Sequence, residues 1–173
     1  MKIKFAIVLA VLVCLLIIRS SYGAEISIGY GYDAPVESWK TDNLECEVVQ
    51  LEVSEYMRYP WYGSVLVIGM QGEANPDSAW FEHEFRDSMV IISRVGRKWQ
   101  LYKNIVGRLF GGFGVLIGRL PEIGSSGIVG HFGGRLSYII GQFEVGYEFW
   151  HLSDPFQTDS GWEIQLLVVS LNF

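Results

Sequence analysis

The strongest constraint on the fold is a two-residue alternation of apolar and polar residues that recurs along the chain. In residues 143–149 all four odd positions are apolar, while the even positions are Glu144, Gly146 and Glu148. Successive side chains of a β-strand point to opposite faces, so this pattern predicts a strand with two unlike faces. Similar short segments, separated by glycine, proline, asparagine or aspartate, follow one another along the chain. This spacing favours an all-β fold.

The first 23 residues are predicted to be a secretory signal peptide, and residues 24–173 a single β-barrel domain. A basic start at Lys2 and Lys4 precedes an unbroken apolar run, and Gly23 ends a short segment with small residues at the positions that signal peptidase reads. A membrane-anchoring helix is the alternative interpretation. We favour the signal because the run is shorter than the ~20 residues that a membrane span needs.

Charge and cysteine content exclude some classes of function for the rest of the chain. Three of the 13 basic residues lie in the first 23 residues and none of the 19 acidic ones does, which leaves a formal charge of about −9. Nucleic acid is therefore not expected as a partner, because it requires a basic face. Cys46 is the one cysteine that follows the signal, so no internal disulfide can hold this exported fold.

The distribution of apolar residues predicts a barrel that spans a membrane by strands. Hydrophobic residues make up 50% of the chain, yet after residue 23 no uninterrupted apolar stretch is long enough for a membrane helix. Transmembrane strands need only about 9–11 residues of weak alternation. Eight such segments can be distinguished, and the longer connections follow the first, third, fifth and seventh. We predict an all-β, eight-stranded, antiparallel up-and-down transmembrane β-barrel with the 154–160 loop outside the cell.

Three local expectations accompany this strand pattern. The apolar positions change parity at Val48 and Val49, which predicts a β-bulge. Residues 96–98 follow a short fourth strand and are expected to form a turn. Four aromatic rings between residues 56 and 62 lie near a strand end. They have two possible interpretations, ordinary aromatic packing or a position in the lipid headgroup layer.

A barrel of eight strands is narrow enough for its side chains to fill it. Four charged residues lie on the faces opposite the apolar rows, namely Arg108, Arg135, Glu144 and Glu148. We expect them to pair inside the barrel rather than to line a pore. A soluble, lipocalin-like barrel is the alternative, and its apolar rows would then have to face a ligand cavity.

The last hairpin contains three candidate catalytic residues. The odd, apolar parity of the strand at 143–149 continues to His151 and Ser153, and the apolar parity of residues 167–173, carried back, reaches Glu163. Polar groups on an apolar face are costly unless they hydrogen-bond one another. A serine hydroxyl becomes a nucleophile when a base takes its proton and a third group orients that base. We therefore assign Ser153 as nucleophile, His151 as general base and then acid, and Glu163 as the orienting carboxylate.

These residues also resemble a known motif. His151-x-Ser153, followed across a short loop by Gly161-x-Glu163, on the last hairpin of a short chain that ends in Phe173, resembles the outer-membrane lipid A 3-O-deacylase family. The motif covers roughly the last 25 residues, and the likeness in length and strand layout extends more loosely over the rest.

The resemblance implies hydrolysis of the ester at the 3-position of lipid A in lipopolysaccharide, with release of a 3-hydroxy fatty acid. It implies an outer-membrane location with the active site towards the outer leaflet. It implies neither a metal nor a cofactor. Family members usually carry asparagine directly after the serine and glycine soon after, whereas this chain has Asp154 and Pro155 there. The expected oxyanion donors are the backbone N–H of Asp154 or Phe156, or the side-chain amide of Gln157.

Other interpretations remain open at the level of sequence. A His-x-Ser pair occurs often by chance, so a non-catalytic small outer-membrane barrel, adhesin-like or structural, is the main alternative. A soluble periplasmic binding barrel is a third. Trp150 and Trp162 flank the proposed site and are expected to be anchors at the membrane interface. Three alternatives stay open at this level: which acyl chain is removed, whether the substrate is lipid A or a phospholipid, and whether the protein is a monomer or a homodimer.

Overall fold

The computed structural model describes residues 23–35, 45–73, 88–118, 127–155 and 161–173. The predicted signal, apart from Gly23, lies outside these residues. Eight β-strands account for nearly all of the described chain: β1 (Ala24–Pro35), β2 (Glu45–Arg58), β3 (Trp61–Glu73), β4 (Ser88–Tyr102), β5 (Ile105–Ile117), β6 (Ile128–Ile140), β7 (Phe143–Ser153) and β8 (Gly161–Asn172).

Every strand pairs antiparallel with the next one along the chain, and β1 also pairs with β8, so the sheet is closed. At the closure Ile28 lies between Val169 of β8 and Leu51 of β2. Closure removes the free strand edges that an open sheet would expose. The predicted eight-stranded, antiparallel, up-and-down barrel is confirmed.

The connections differ between the two ends of the barrel. β2–β3, β4–β5 and β6–β7 are joined by short turns at residues 59–60, 103–104 and 141–142, whereas the other four connections are longer. Because consecutive strands run in opposite directions, all the short turns lie at one end, here called the turn end, and the longer connections at the other, the loop end. The longer connections lie largely outside the described residues.

Alternation along the strands gives the barrel an apolar outer surface. The exposed outward side chains are mostly large and hydrophobic, among them Ile28, Val65, Ile91, Val95, Leu109, Phe113, Val115, Phe132, Leu136, Tyr138, Val145, Tyr147, Phe149, Leu167 and Val169. A contiguous apolar surface of this extent is typical of a protein surrounded by lipid. The apolar rows of β5 to β8 therefore face outwards, opposite to what a lipocalin-like barrel would require.

The interior towards the turn end is filled by paired charges. As predicted, Arg108 pairs with Glu144, at 2.6 Å, and Arg135 with Glu148. The network is larger than the sequence indicated, because Glu25, Glu52, Arg94 and Lys98 also belong to it. The described network thus contains four carboxylates and four cations in close contact, which compensates the burial of each charge.

The interior towards the loop end is mostly apolar. Its core consists of Val48, Leu66, Ile68, Met70, Val90, Ile92, Phe110, Val129, Trp150, Leu152, Trp162, Ile164, Leu166 and Val168. Trp150 and Trp162 are fully buried here, so their prediction as interface anchors is wrong. Both occupy even positions of β7 and β8, and the even positions of this hairpin face inwards.

Two local expectations fail for physical reasons. β2 pairs in unbroken register through Val48 and Val49, so the predicted bulge is absent there. The apolar residues change parity because the interior of the barrel changes from apolar to polar along β2. Val48 belongs to the apolar core, whereas the next inward residues, Gln50 and Glu52, belong to the polar half. Along β2 the apolar residues consequently move to the outward face.

The predicted turn at residues 96–98 is also wrong, because β4 continues through it to Tyr102. Gly96 pairs with Tyr62 of β3, and a Cβ at Gly96 would lie 2.5 Å from the Tyr62 hydroxyl. The glycine therefore makes room for an inward aromatic ring. Tyr62 is buried, whereas Tyr59 and Trp61 of the same aromatic cluster are exposed.

Candidate active site

The β7–β8 hairpin places all three predicted catalytic residues on the outward surface near the loop end. His151 and Ser153 are partly exposed and Glu163 is exposed, whereas the intervening residues Leu152 and Trp162 are buried. The predicted strand parity is therefore observed at each of the three positions.

The register of the hairpin brings the three residues into two adjacent rows. His151 lies directly opposite Glu163, and Ser153 lies directly opposite Gly161. Directly opposite residues of an antiparallel pair have Cβ atoms about 4.5–5.5 Å apart, within the reach of an imidazole and a carboxylate. The arrangement therefore brings His151 and Glu163 together as neighbours, with Ser153 one row nearer the loop end.

The His151 ring lies between two neighbouring strands. On the β6 side its centroid is 5.1 Å from that of Phe132, with the planes inclined by 38°. On the β8 side the ring extends over Gly161: a Cβ built there would lie 2.5 Å from Nε2 and closer still to Cε1. The Nε2 end of the imidazole thus reaches the row that contains Ser153.

The Ser153 hydroxyl lies on the other side of β7. Its Oγ would be 3.5 Å from a Cβ at Gly130, the residue that pairs with Ser153 on β6. Within the described chain no hydrogen bond joins Ser153 to His151, or His151 to Glu163. A change of the Ser153 χ1 angle to another staggered rotamer would redirect the hydroxyl, and catalytic hydrogen bonds often form only with substrate bound.

The proposed oxyanion donors are largely beyond the described residues. Phe156 and Gln157 lie outside them, and Asp154 is described and buried, at 2% exposure. The Asp154 side chain is therefore removed from solvent, in contrast to the partly exposed Ser153.

The surface around the site changes from apolar to polar along the hairpin. In β7 and β8 the outward apolar positions end at Phe149 and Leu167, and polar side chains follow towards the loop end. Tyr147 donates a hydrogen bond to the side-chain carbonyl of Gln165, directly below the His151 and Glu163 row. The site thus lies where the lipid-facing surface ends, as expected for a site at a membrane interface.

Sequence reasoning missed two neighbours of the site, Phe132 and Gly130. They pair with His151 and Ser153 across β6 and β7. The two-residue turn at 141–142 could have revealed them, because such a turn fixes the register of the strands that it joins. Among the described residues no group of three or more His, Cys, Asp or Glu could hold a metal ion. No helix in the described chain is long and apolar enough to cross a membrane.

Comparison with known proteins finds the same fold in two solved structures. No protein-family model matches the chain, and no curated protein matches it. The crystal structure of Neisserial surface protein A (NspA) superposes with a TM-score of 0.60 at 7% sequence identity, over 87% of this chain and 96% of that one. The Yersinia pestis outer membrane protein Ail, determined in a phospholipid bilayer nanodisc, superposes with a TM-score of 0.50 at 15% identity, over 87% and 99%. At these identities the likeness concerns the fold alone.

Proposed function

We propose that the protein is an outer-membrane serine esterase that removes the 3-O-linked hydroxyacyl chain of lipid A. The observation behind the proposal is the cross-strand geometry of the last hairpin: His151 faces Glu163, and Ser153 lies one row away on the same outward surface. A histidine, a serine and a carboxylate thus lie together where the lipid-facing surface ends, and a shared reaction gives a reason for the arrangement.

The reaction follows from these three side chains. The Ser153 oxygen attacks the ester carbonyl carbon while His151 Nε2 takes the hydroxyl proton, and the imidazolium then protonates the departing sugar oxygen. Water attacks the acyl-serine, His151 takes a water proton and returns it to the Ser153 oxygen, and a fatty acid leaves. Since Nε2 lies nearer the serine row, Nδ1 is the nitrogen that Glu163 would orient.

The location of the site accounts for the proposed substrate class. The site faces outwards near the loop end and not into the lumen, which is filled there by the apolar core. A glycolipid whose ester bonds lie near its headgroup would reach the site by lateral diffusion in the membrane. We place the loop end at the cell exterior, where the outer leaflet supplies lipopolysaccharide.

Mass spectra of lipid A test this function. Cells that express the wild-type protein are expected to lose one 3-hydroxyacyl group from lipid A, and cells that express Ser153→Ala are not. Ser93→Ala is the matched control, because Ser93 is an exposed, outward serine on β4, distant from the hairpin. Equal lipid A spectra from wild type and Ser153→Ala, with both proteins folded in the outer membrane, would contradict the proposal.

A second candidate is a non-catalytic small barrel, adhesin-like or structural, whose loops bind a partner outside the cell. The comparisons favour it, because the two similar structures are described as a surface protein and an outer membrane protein. The missing hydrogen bond between Ser153 and His151 agrees with it. Unchanged lipid A in cells with abundant wild-type protein is the result that this candidate predicts.

A further inference from the structure

The imidazole of His151 is confined by two residues that have no role in the proposed reaction. Phe132 lies beside it on β6, with the ring centroids 5.1 Å apart. Gly161 lies beneath it on β8, where a Cβ would be 2.5 Å from Nε2. The ring therefore occupies space over β8 that exists only because residue 161 has no side chain.

This crowding exceeds that at five other outward glycines of the described barrel, Gly63, Gly107, Gly111, Gly130 and Gly134, where an added Cβ would come no closer than 3.1 Å to another atom. At Gly63, on β3, the nearest atom to an added Cβ is Met57 Sδ at 3.7 Å, an ordinary contact. At Gly130, beside Ser153, the nearest atom is 3.5 Å away. An alanine would fit at either of these positions, whereas at Gly161 it would displace the imidazole.

We propose that Gly161 and Phe132 are positioning residues for His151, and call the pair the imidazole clamp. An outward histidine in a strand can adopt more than one χ1 rotamer, so its ring could lean towards either flanking strand. Phe132 occupies the β6 side and Gly161 leaves the β8 side open, which directs Nε2 towards the row of Ser153. The catalytic consequence of the clamp rests on the proposed esterase function, whereas the ring position is a property of the barrel alone.

Nuclear magnetic resonance of the full-length protein, folded in lipid and labelled with ¹³C-histidine, tests the ring position directly. The His151 Cε1–H signal is identified by its loss in His151→Asn. Gly161→Ala and Phe132→Leu are expected to shift this signal. Gly63→Ala and Phe143→Leu are the matched controls, since they alter an outward glycine on β3 and an outward phenylalanine at the turn end of β7, and they should leave the signal unchanged.

Kinetics on lipid A provide the second measurement. A displacement of about 1 Å in a catalytic group can cost about 10²-fold in rate, so Gly161→Ala is expected to lower kcat by about 10²-fold with KM unchanged. Heat-modifiable gel mobility checks that each variant folds. Phe132→Leu provides an independent readout should the Gly161→Ala barrel fail to form.

The outcomes separate this proposal from the proposed function. An unshifted His151 signal in folded Gly161→Ala or Phe132→Leu overturns the clamp, even if the wild-type protein hydrolyses lipid A. A signal that shifts in the two variants, while the wild-type protein hydrolyses no lipid A, supports the clamp and rules out the esterase.

Discussion

His151 lies directly opposite Glu163 across the β7–β8 ladder, and both side chains leave the barrel on its outer surface. This relationship depends on strand parity and on the register of one hairpin. A shift of one residue in β8 would turn Glu163 inwards and place the fully buried Trp162 in the lipid. The apolar interior near the loop end, which includes Trp162 and Ile164, therefore fixes the position of the acid.

Loss of the orienting carboxylate is expected to reduce the rate less than loss of the nucleophile. Glu163→Gln should lower kcat by about 10⁴-fold, as for other triads with an amide in place of the acid, whereas Ser153→Ala and His151→Asn should lower it further. Initial rates of lipid A hydrolysis in vesicles measure the effect of each substitution. Glu55→Gln is the control, because Glu55 is an exposed glutamate on β2 near the turn end. Equal rates for Glu163→Gln and the wild type would remove Glu163 from the triad.

The paired charges inside the barrel predict a strong effect on stability. Arg135 contacts both Glu52 and Glu148, and all three are buried. Arg135→Met removes a positive charge that compensates these two buried carboxylates. The substitution should therefore lower the free energy of unfolding by about 3–5 kcal/mol. Urea unfolding in lipid vesicles, followed by gel mobility, measures it. Arg97→Met changes an exposed arginine of β4 and should have little effect.

Close approach of neighbouring strands predicts that Gly133 tolerates no side chain. A Cβ there would lie 2.6 Å from the Trp150 Cα and closer still to the Phe149 carbonyl oxygen. Gly133→Ala should therefore lower the free energy of unfolding by about 1–3 kcal/mol, in the range of an overpacked core. The same urea titration measures the change. If the urea midpoint of Gly133→Ala were unchanged and equal to that of Gly63→Ala, β6 and β7 would be able to move apart without loss of stability.

The two tryptophan environments predict different contacts with lipid. Trp61 is exposed on the outer surface, whereas Trp150 is buried inside the barrel. In vesicles that contain brominated acyl chains, Trp61→Phe should reduce the quenched fraction of the fluorescence and Trp150→Phe should not. Quenching that is insensitive to Trp61→Phe would mean that this surface does not face lipid.

Much of the fold could be predicted because a two-residue period is read directly from the residues. This period identified the outward rows of β7 and β8 and the inward charges Arg108 and Arg135. It failed where the interior changes character: Val48 and Val49 indicated a bulge because the lumen changes there from apolar to polar. It also failed at Gly96, where a glycine that accommodates the Tyr62 ring was interpreted as a turn.

The site shows the same limit. Parity on a single strand placed His151 and Ser153 on one face, and a second strand added Glu163. Phe132 belongs to a third strand, and its contact with His151 depends on a register that apolar alternation alone does not specify. The inward orientation of Trp150 and Trp162 was missed for a related reason, since large aromatic rings suit both a membrane interface and a barrel core.

The apolar core at the loop end keeps the inside of the barrel separate from its outer surface. Trp150, Leu152 and Ile164 are fully buried in this core, whereas the alternate residues of β7 and β8 face outwards. Substitutions at outward positions can therefore accumulate while the lumen stays filled. Natural selection is free to reshape the outer surface without opening a passage through the barrel.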